Sequence, residues 1–156
     1  MFYKSFKNQF SCDLFMKFSI VKSIKDIKGK KEPVFIESAS YKELRQAVEK
    51  NMVNGLIHTE FYPKKDSVHY RRSGIDDILA RFMGEKKVKY VIDIKTILES
   101  EYPEVSLGRV IQNIMLCKKY NVDVVVVNSE FDGEIIISFL ECLGMEKRKA
   151  KTVISR

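Results

Sequence analysis

Two groups of side chains in this sequence could do chemistry. The first is the run Pro63-Lys-Lys-Asp-Ser-Val-His-Tyr-Arg-Arg-Ser-Gly74, which gathers Lys64, Lys65, His69, Tyr70, Arg71 and Arg72 just ahead of a helix start. Lysine and arginine neutralise phosphates, and an imidazole or phenol ring stacks on an unpaired base. The free N–H groups of a helix N-terminus take a further phosphate. The second group is Glu37, His58, Glu60, Asp93 and Lys95, each at the end of an apolar segment that reads as a strand. Strand C-termini are where α/β barrels place metal ligands and catalytic groups. Only His58 and His69 are histidines, however, and neither has metal-type spacing to a partner. No nucleophile–base pair is identifiable, so a hydrogen-bonded rim histidine outweighs a ligand at position 58. The chain has no GxxxxGK, GxGxxG or GxSxG motif. What survives of an enzyme reading is a free-standing metal-dependent phosphoesterase on a related barrel, its metal held by His58 and His69 with Glu60 or Asp93, kept as the alternative.

Charge placement favours the first group. The net charge of +7 is concentrated: residues 1–31 carry +6, residues 64–72 carry +3 and residues 145–156 carry +4, while the rest sums to −6. Basic charge collected at a few points suits a polyanion better than evenly spread charge does, and nucleic acid is the favoured partner. Hydrophobic content of 45% and charged content of 31% are values of a globular chain. The 156 residues suit a single domain. Nothing approaches the roughly 20 apolar residues of a membrane span. The N-terminus mixes Lys4, Lys7 and Lys17 with phenylalanines, unlike a signal peptide. Cys12, Cys117 and Cys142 are odd in number and read as free thiols in a reducing cytoplasm, the expected location.

The elements that would position these residues follow from periodicity. Leu107, Val110, Ile111, Ile114 and Cys117 recur at helical spacing, with Arg109, Gln112, Asn113 and Lys119 on the opposite face. This helix, residues 105–120, runs through Asn121 into four valines, Val124 to Val127, which suit a strand buried on both sides. Ser40 and Glu43 form a capping box for a helix carrying Leu44, Ala47 and Val48. Asp76 and Asp77 open another whose buried stripe is Ile75, Ile78, Leu79 and Phe82, and Asp132 a third that turns Ile135, Ile136, Phe139, Leu140 and Leu143 to the core and ends at Gly144. Strands are expected at 14–21, 34–36, 56–59 and 88–94, a lysine-rich loop at 24–32 and a short acidic segment at 96–104. A last strand is expected at 150–155. Helical connections make the strands parallel. The expected class is α/β, with a mainly parallel sheet that is either open and doubly wound or a short, incomplete TIM-type barrel. A full eightfold barrel takes about 250 residues.

The run His69-Tyr-Arg-Arg-Ser-Gly-Ile-Asp-Asp-Ile-Leu-Ala-Arg81 resembles the central motif of archaeal ribonuclease P protein component 3. The segment Arg109-Val-Ile-Gln-Asn-Ile-Met-Leu-Cys-Lys-Lys-Tyr120 resembles that family's second basic helix, and the valine strand and Leu143-Gly-Met145 follow in the family's order. The resemblance runs from about Pro33 to the C-terminus; residues 1–32 look shortened or divergent. It implies a single TIM-type barrel domain, short by some units, in a subunit of the ribonucleoprotein that removes the 5′ leader of precursor tRNA. It also implies that the RNA, with Mg2+, does the cutting. This chain would then hold no cofactor, metal or catalytic residue and would pair with a small RRM-like subunit. By that resemblance the RNA-binding residues are Lys64, Lys65, His69, Tyr70, Arg71, Arg72, Arg81, Arg109, Lys118 and Lys119, and precursor tRNA is met only indirectly.

Overall fold

The computed structural model describes residues 18–37, 40–69 and 71–154. Its elements are β1 (Ser19–Val21), β2 (Val34–Ile36), α1 (Tyr41–Glu49), β3 (Gly55–Ile57), α2 (Asp77–Lys86), β4 (Lys89–Asp93), α3 (Ile94–Leu98), α4 (Pro103–Tyr120), β5 (Val124–Val127), α5 (Gly133–Cys142) and α6 (Lys147–Ile154). The five strands pair in parallel and in chain order, β1-β2-β3-β4-β5. A doubly wound sheet reverses its strand order at a switch point. This one never does, so the order is that of a singly wound, barrel-like sheet. Among the described residues β1 and β5 each pair on one side only, which leaves the sheet with two edges.

Side-chain alternation sorts the strands' residues onto two faces. Val34 and Ile36, Leu56, Tyr90 and Ile92, and Val126 pack with Leu44, Ala47, Leu79, Met83, Val110, Ile114, Ile136 and Leu140 of the helices. The intervening Phe35, Ile57, Val91 and Val127 form a second cluster that contains no helical residue. The helices therefore cover one face, as the outer ring of a barrel does.

Local chemistry sets the boundaries. Ser40, Asp76, Asp93 and Asp132 each accept a bond from the backbone N–H three residues on, capping α1, α2, α3 and α5. Pro103 occupies the first turn of α4, where its missing N–H leaves nothing unbonded. Asn121 ends α4 in the left-handed conformation.

Several expectations change. The segment 96–104 is not a plain connection: α3 starts directly from Asp93 and buries Ile94 and Ile97. The loop at 24–32 includes a 3-10 turn, Ile24–Ile27. The expected strand at 150–155 is helix α6. Its β-branched Thr152, Val153 and Ile154 suggest a strand, but the Lys147-Arg-Lys-Ala-Lys start favours a helix, and Ala150 is buried where α6 meets its neighbours. Cys117 is buried, with burial pushing its thiol up to about 12, and Cys142 is exposed; Ile78 and Ile135, expected in core-facing stripes, are exposed because they fall at the solvent edge of α2 and α5. Residues 14–17 of the first expected strand, and Cys12, lie outside the described residues. No helix of the described residues is long and apolar enough to cross a membrane.

Candidate nucleic-acid interface

The basic loop begins where β3 stops. His58 takes a left-handed backbone at φ 59°, a 3-10 turn follows at Thr59–Phe61, and the chain then folds back across α4 before entering α2. The polar face of α4 holds it there. Arg109 is 7% exposed, and its guanidinium donates to the carbonyls of Glu60 (2.8 Å), Tyr62 (2.9 Å) and Lys64 (2.8 Å) and to the Asp66 carboxylate. One planar fork thus fixes four points of the loop backbone or its turn, which a point-charge lysine could not do. Burial works against the Asp66 charge, but the Arg109 bond, the Arg72 amide and the nearby guanidiniums outweigh it and hold the carboxyl below its usual range. Gln112 donates to the Arg71 carbonyl at 2.9 Å and to Ser73, and the buried Asn113 donates to Thr59 and to the Ser73 carbonyl.

Two glycines allow the close fit. Gly74 has φ 78°, and a Cβ there would stand 2.6 Å from the Thr59 carbonyl oxygen. Gly108 leaves room on α4 for the Arg71 guanidinium, which a Cβ would overlap.

The expected RNA-contacting residues divide accordingly. Lys64, Lys65, His69, Arg71 and Arg72 stand exposed on one pinned loop, and none of their side chains is in an ion pair among the described residues. Tyr70 lies outside the described residues. Arg109 and Asn113, expected on a solvent-facing side of their helix, are instead buried under the loop, and Arg109 points its donors at the protein. Lys118 and Lys119 diverge: Lys118 reaches Glu146 at 3.0 Å, and Lys119 reaches Asp77 at the start of α2 at 2.5 Å. Arg81 lies over the Phe82 ring and 3.9 Å from Glu85. The N-terminus of α2, expected to be open to a phosphate, is capped by Asp76, whose carboxylate takes the Leu79 N–H at 2.8 Å.

The strand-end group forms a different structure. His58 Nδ1 lies 3.2 Å from Glu37, its Nε2 lies 3.1 Å from Asp93, and Asn128 donates to the same Asp93 oxygen at 2.8 Å. Burial would push His58 down, but its bonds to Asp93 and Glu37 outweigh that and raise it above its ordinary value. Burial likewise opposes the Asp93 charge, and the His58, Thr96 and Asn128 bonds bring it down to about 2. Glu60 is 1% exposed beneath the loop; burial pushes its carboxyl up to about 7, and Tyr90 is its hydroxyl partner at 3.3 Å. Lys95 faces Glu130 at 3.7 Å. With a carboxylate at each ring nitrogen, His58 has no lone pair directed outward. Among the described residues no three His, Cys, Asp or Glu side chains are placed to hold a metal ion.

Sequence reasoning missed Asp66, Gln112 and Asn128 as organising residues. One signal was present: Arg109, Gln112 and Asn113 lie within about one turn of α4 and share its polar face. Asp66 and Asn128 left none, because their partners are distant in the chain.

No protein-family model matches this chain, and neither does any curated protein. Among solved structures the chain is similar, at 25% identity and a TM-score of 0.71, to a chain of the cryo-EM structure of archaeal ribonuclease P with mature tRNA. The alignment covers 88% of this chain and 63% of that one. The α/β fold with its five parallel strands is therefore one shared with a ribonuclease P chain that is considerably longer.

Proposed function

We propose that this chain is an RNA-binding protein subunit of ribonuclease P, of the component 3 type, supporting a catalytic RNA in removal of the 5′ leader of precursor tRNA. One observation carries the reading: the fold likeness, over 88% of the chain, to a chain of an archaeal ribonuclease P. The geometry agrees with it. A loop whose backbone is pinned by Arg109, Gln112 and Asn113 presents Lys64, Lys65 and Arg72 to solvent, with Arg71 exposed along α4 at Gly108, so part of the backbone ordering precedes binding. In this reading the chain works in the cytoplasm beside a small RRM-like subunit, and Mg2+ serves the RNA.

The test is RNA affinity across salt concentration, with and without the sister subunit. Binding is expected to weaken steeply with salt. Replacing Arg71 and Arg72 together by alanine should weaken it further and flatten the logarithmic slope by about one to two. An unchanged slope would remove the loop from the interface. The alternative, a free-standing phosphoesterase, predicts metal-dependent turnover by the protein alone; robust turnover of that kind would overturn the subunit reading.

A further inference from the structure

Between the basic loop and the starts of α1 and α2 lies an open cleft of about 120 Å³. Its walls differ in chemistry. Tyr41 and Tyr62, both half-buried, contribute aromatic rings, and the buried Ile75 adds apolar surface. Exposed Lys64 and Arg72 supply cations. Asp76 supplies a carboxylate, fixed by the Tyr41 hydroxyl at 2.8 and 2.9 Å and by the Leu79 amide at 2.8 Å. Gly74 has no side chain to fill the space.

Each wall excludes some ligands. Two exposed cations attract a phosphate, and the Asp76 carboxylate repels one, so a phosphate belongs at the Lys64–Arg72 side. A carboxylate has about four lone-pair sites, and the two donors above, the single Tyr41 O–H shared between both oxygens and the Leu79 N–H, leave Asp76 acceptor capacity. What suits that end is an N–H donor on a flat ring. Every RNA base carries an N–H on its pairing edge, and it is available only when the base is unpaired. A flat ring also stacks on tyrosine whatever its identity. The backbone of Tyr62 is already held, its amide by the Thr59 carbonyl at 3.1 Å and its carbonyl by Arg109, so its ring is presented from a fixed base.

We propose that this cleft binds one unpaired nucleotide: its base against Tyr62 and Tyr41, its pairing edge toward Asp76, and its phosphate on Lys64 and Arg72. The inference rests on the reading that the chain binds RNA, and adds that the loop distinguishes a bulged or looped nucleotide from continuous duplex.

The experiment compares the full chain's affinity for an RNA hairpin and for the same hairpin carrying one bulged nucleotide, by fluorescence anisotropy at several salt concentrations, with adenosine monophosphate as competitor. The expected result is at least about fivefold preference for the bulged RNA, the scale of one stacked base. Millimolar adenosine monophosphate should erase the preference. Tyr62→Ala should abolish it while leaving duplex affinity and salt slope as they were, and Tyr62→Phe should keep it. Equal binding of both RNAs with a steep salt slope would overturn the cleft and leave the RNA-subunit reading standing. Competition by the free nucleotide without bulge preference would overturn it too, assigning the cleft to a free nucleotide. Absence of binding to either RNA would remove both.

Discussion

The strand-end cluster and the basic loop are built in opposite ways. In the cluster, Glu37, His58, Asp93 and Asn128 satisfy one another, side chain to side chain. In the loop, the backbone is satisfied by α4, and Lys64, Lys65 and Arg72 are left exposed, while Asp66 is tied to Arg109 and the Arg71 guanidinium lies against Gly108. A closed network offers an incoming ligand little, because binding must first break bonds already made. A pinned backbone with outward cations offers preorganised charge. Position at a strand C-terminus was the reason to suspect catalysis in the cluster; there each ring nitrogen of His58 already faces a carboxylate.

The sharpest way to break this contrast is at Arg109. Arg109→Met removes the clamp, leaving the Glu60, Tyr62 and Lys64 carbonyls without that donor and Asp66 with only the Arg72 amide, so a loss of about 3 kcal/mol is expected in urea unfolding. Faster amide exchange should follow across residues 60–72, together with weaker RNA binding. Stability near wild type with an unaltered loop would mean the clamp is decorative.

Glu60 joins the two regions, its carbonyl on Arg109 and its carboxyl under Tyr90. Because its folded pKa is raised from 4.5 to about 7, its contribution is fully present below about 4.5 and is lost as pH climbs toward 7. Glu60→Gln should therefore unfold at higher urea than wild type at pH 8, by on the order of 2 kcal/mol, with the gain shrinking toward pH 5. A gain that does not vary with pH would assign the effect to another group.

A smaller effect is expected at His58. Its pKa is raised, so its charged pairing stabilises the fold below about 6.5 and fades as pH rises through the folded value. His58→Gln should cost about 1 to 2 kcal/mol at pH 6 and less at pH 9, leaving RNA affinity unchanged. Loss of RNA affinity, or of leader removal by the assembled particle, would reopen the strand ends as a functional site. Smallest of all, Lys64→Ala and Arg72→Ala should shift stability by no more than about 0.5 kcal/mol while still weakening RNA binding. A large stability loss from either would show that these side chains, too, are held inward.

Much of this architecture was legible in the residue pattern. The valine run at 124–127, the capping serines and aspartates and the helical stripes of α1, α2, α4 and α5 declare themselves locally, since hydrophobic period and cap chemistry depend on neighbours within a few positions. The basic loop was legible as composition. Helix α6 was not, because β-branched residues near its end spoke for a strand while the burial of Ala150 speaks for a helix. Arg109 was read as an outward cation because helical periodicity reports which side is polar, not whether a loop will lie over it.

The sequence by itself determined the parallel α/β class, the placement of charge and the presence of a basic loop before α2, all consequences of short-range spacing and composition. Only the tertiary structure decided that strand order runs straight from β1 to β5, that His58 is enclosed by two carboxylates, and that Arg109 serves the loop rather than a ligand. Those depend on contacts between residues some 15 to 49 positions apart, across which a linear pattern carries no pairing information.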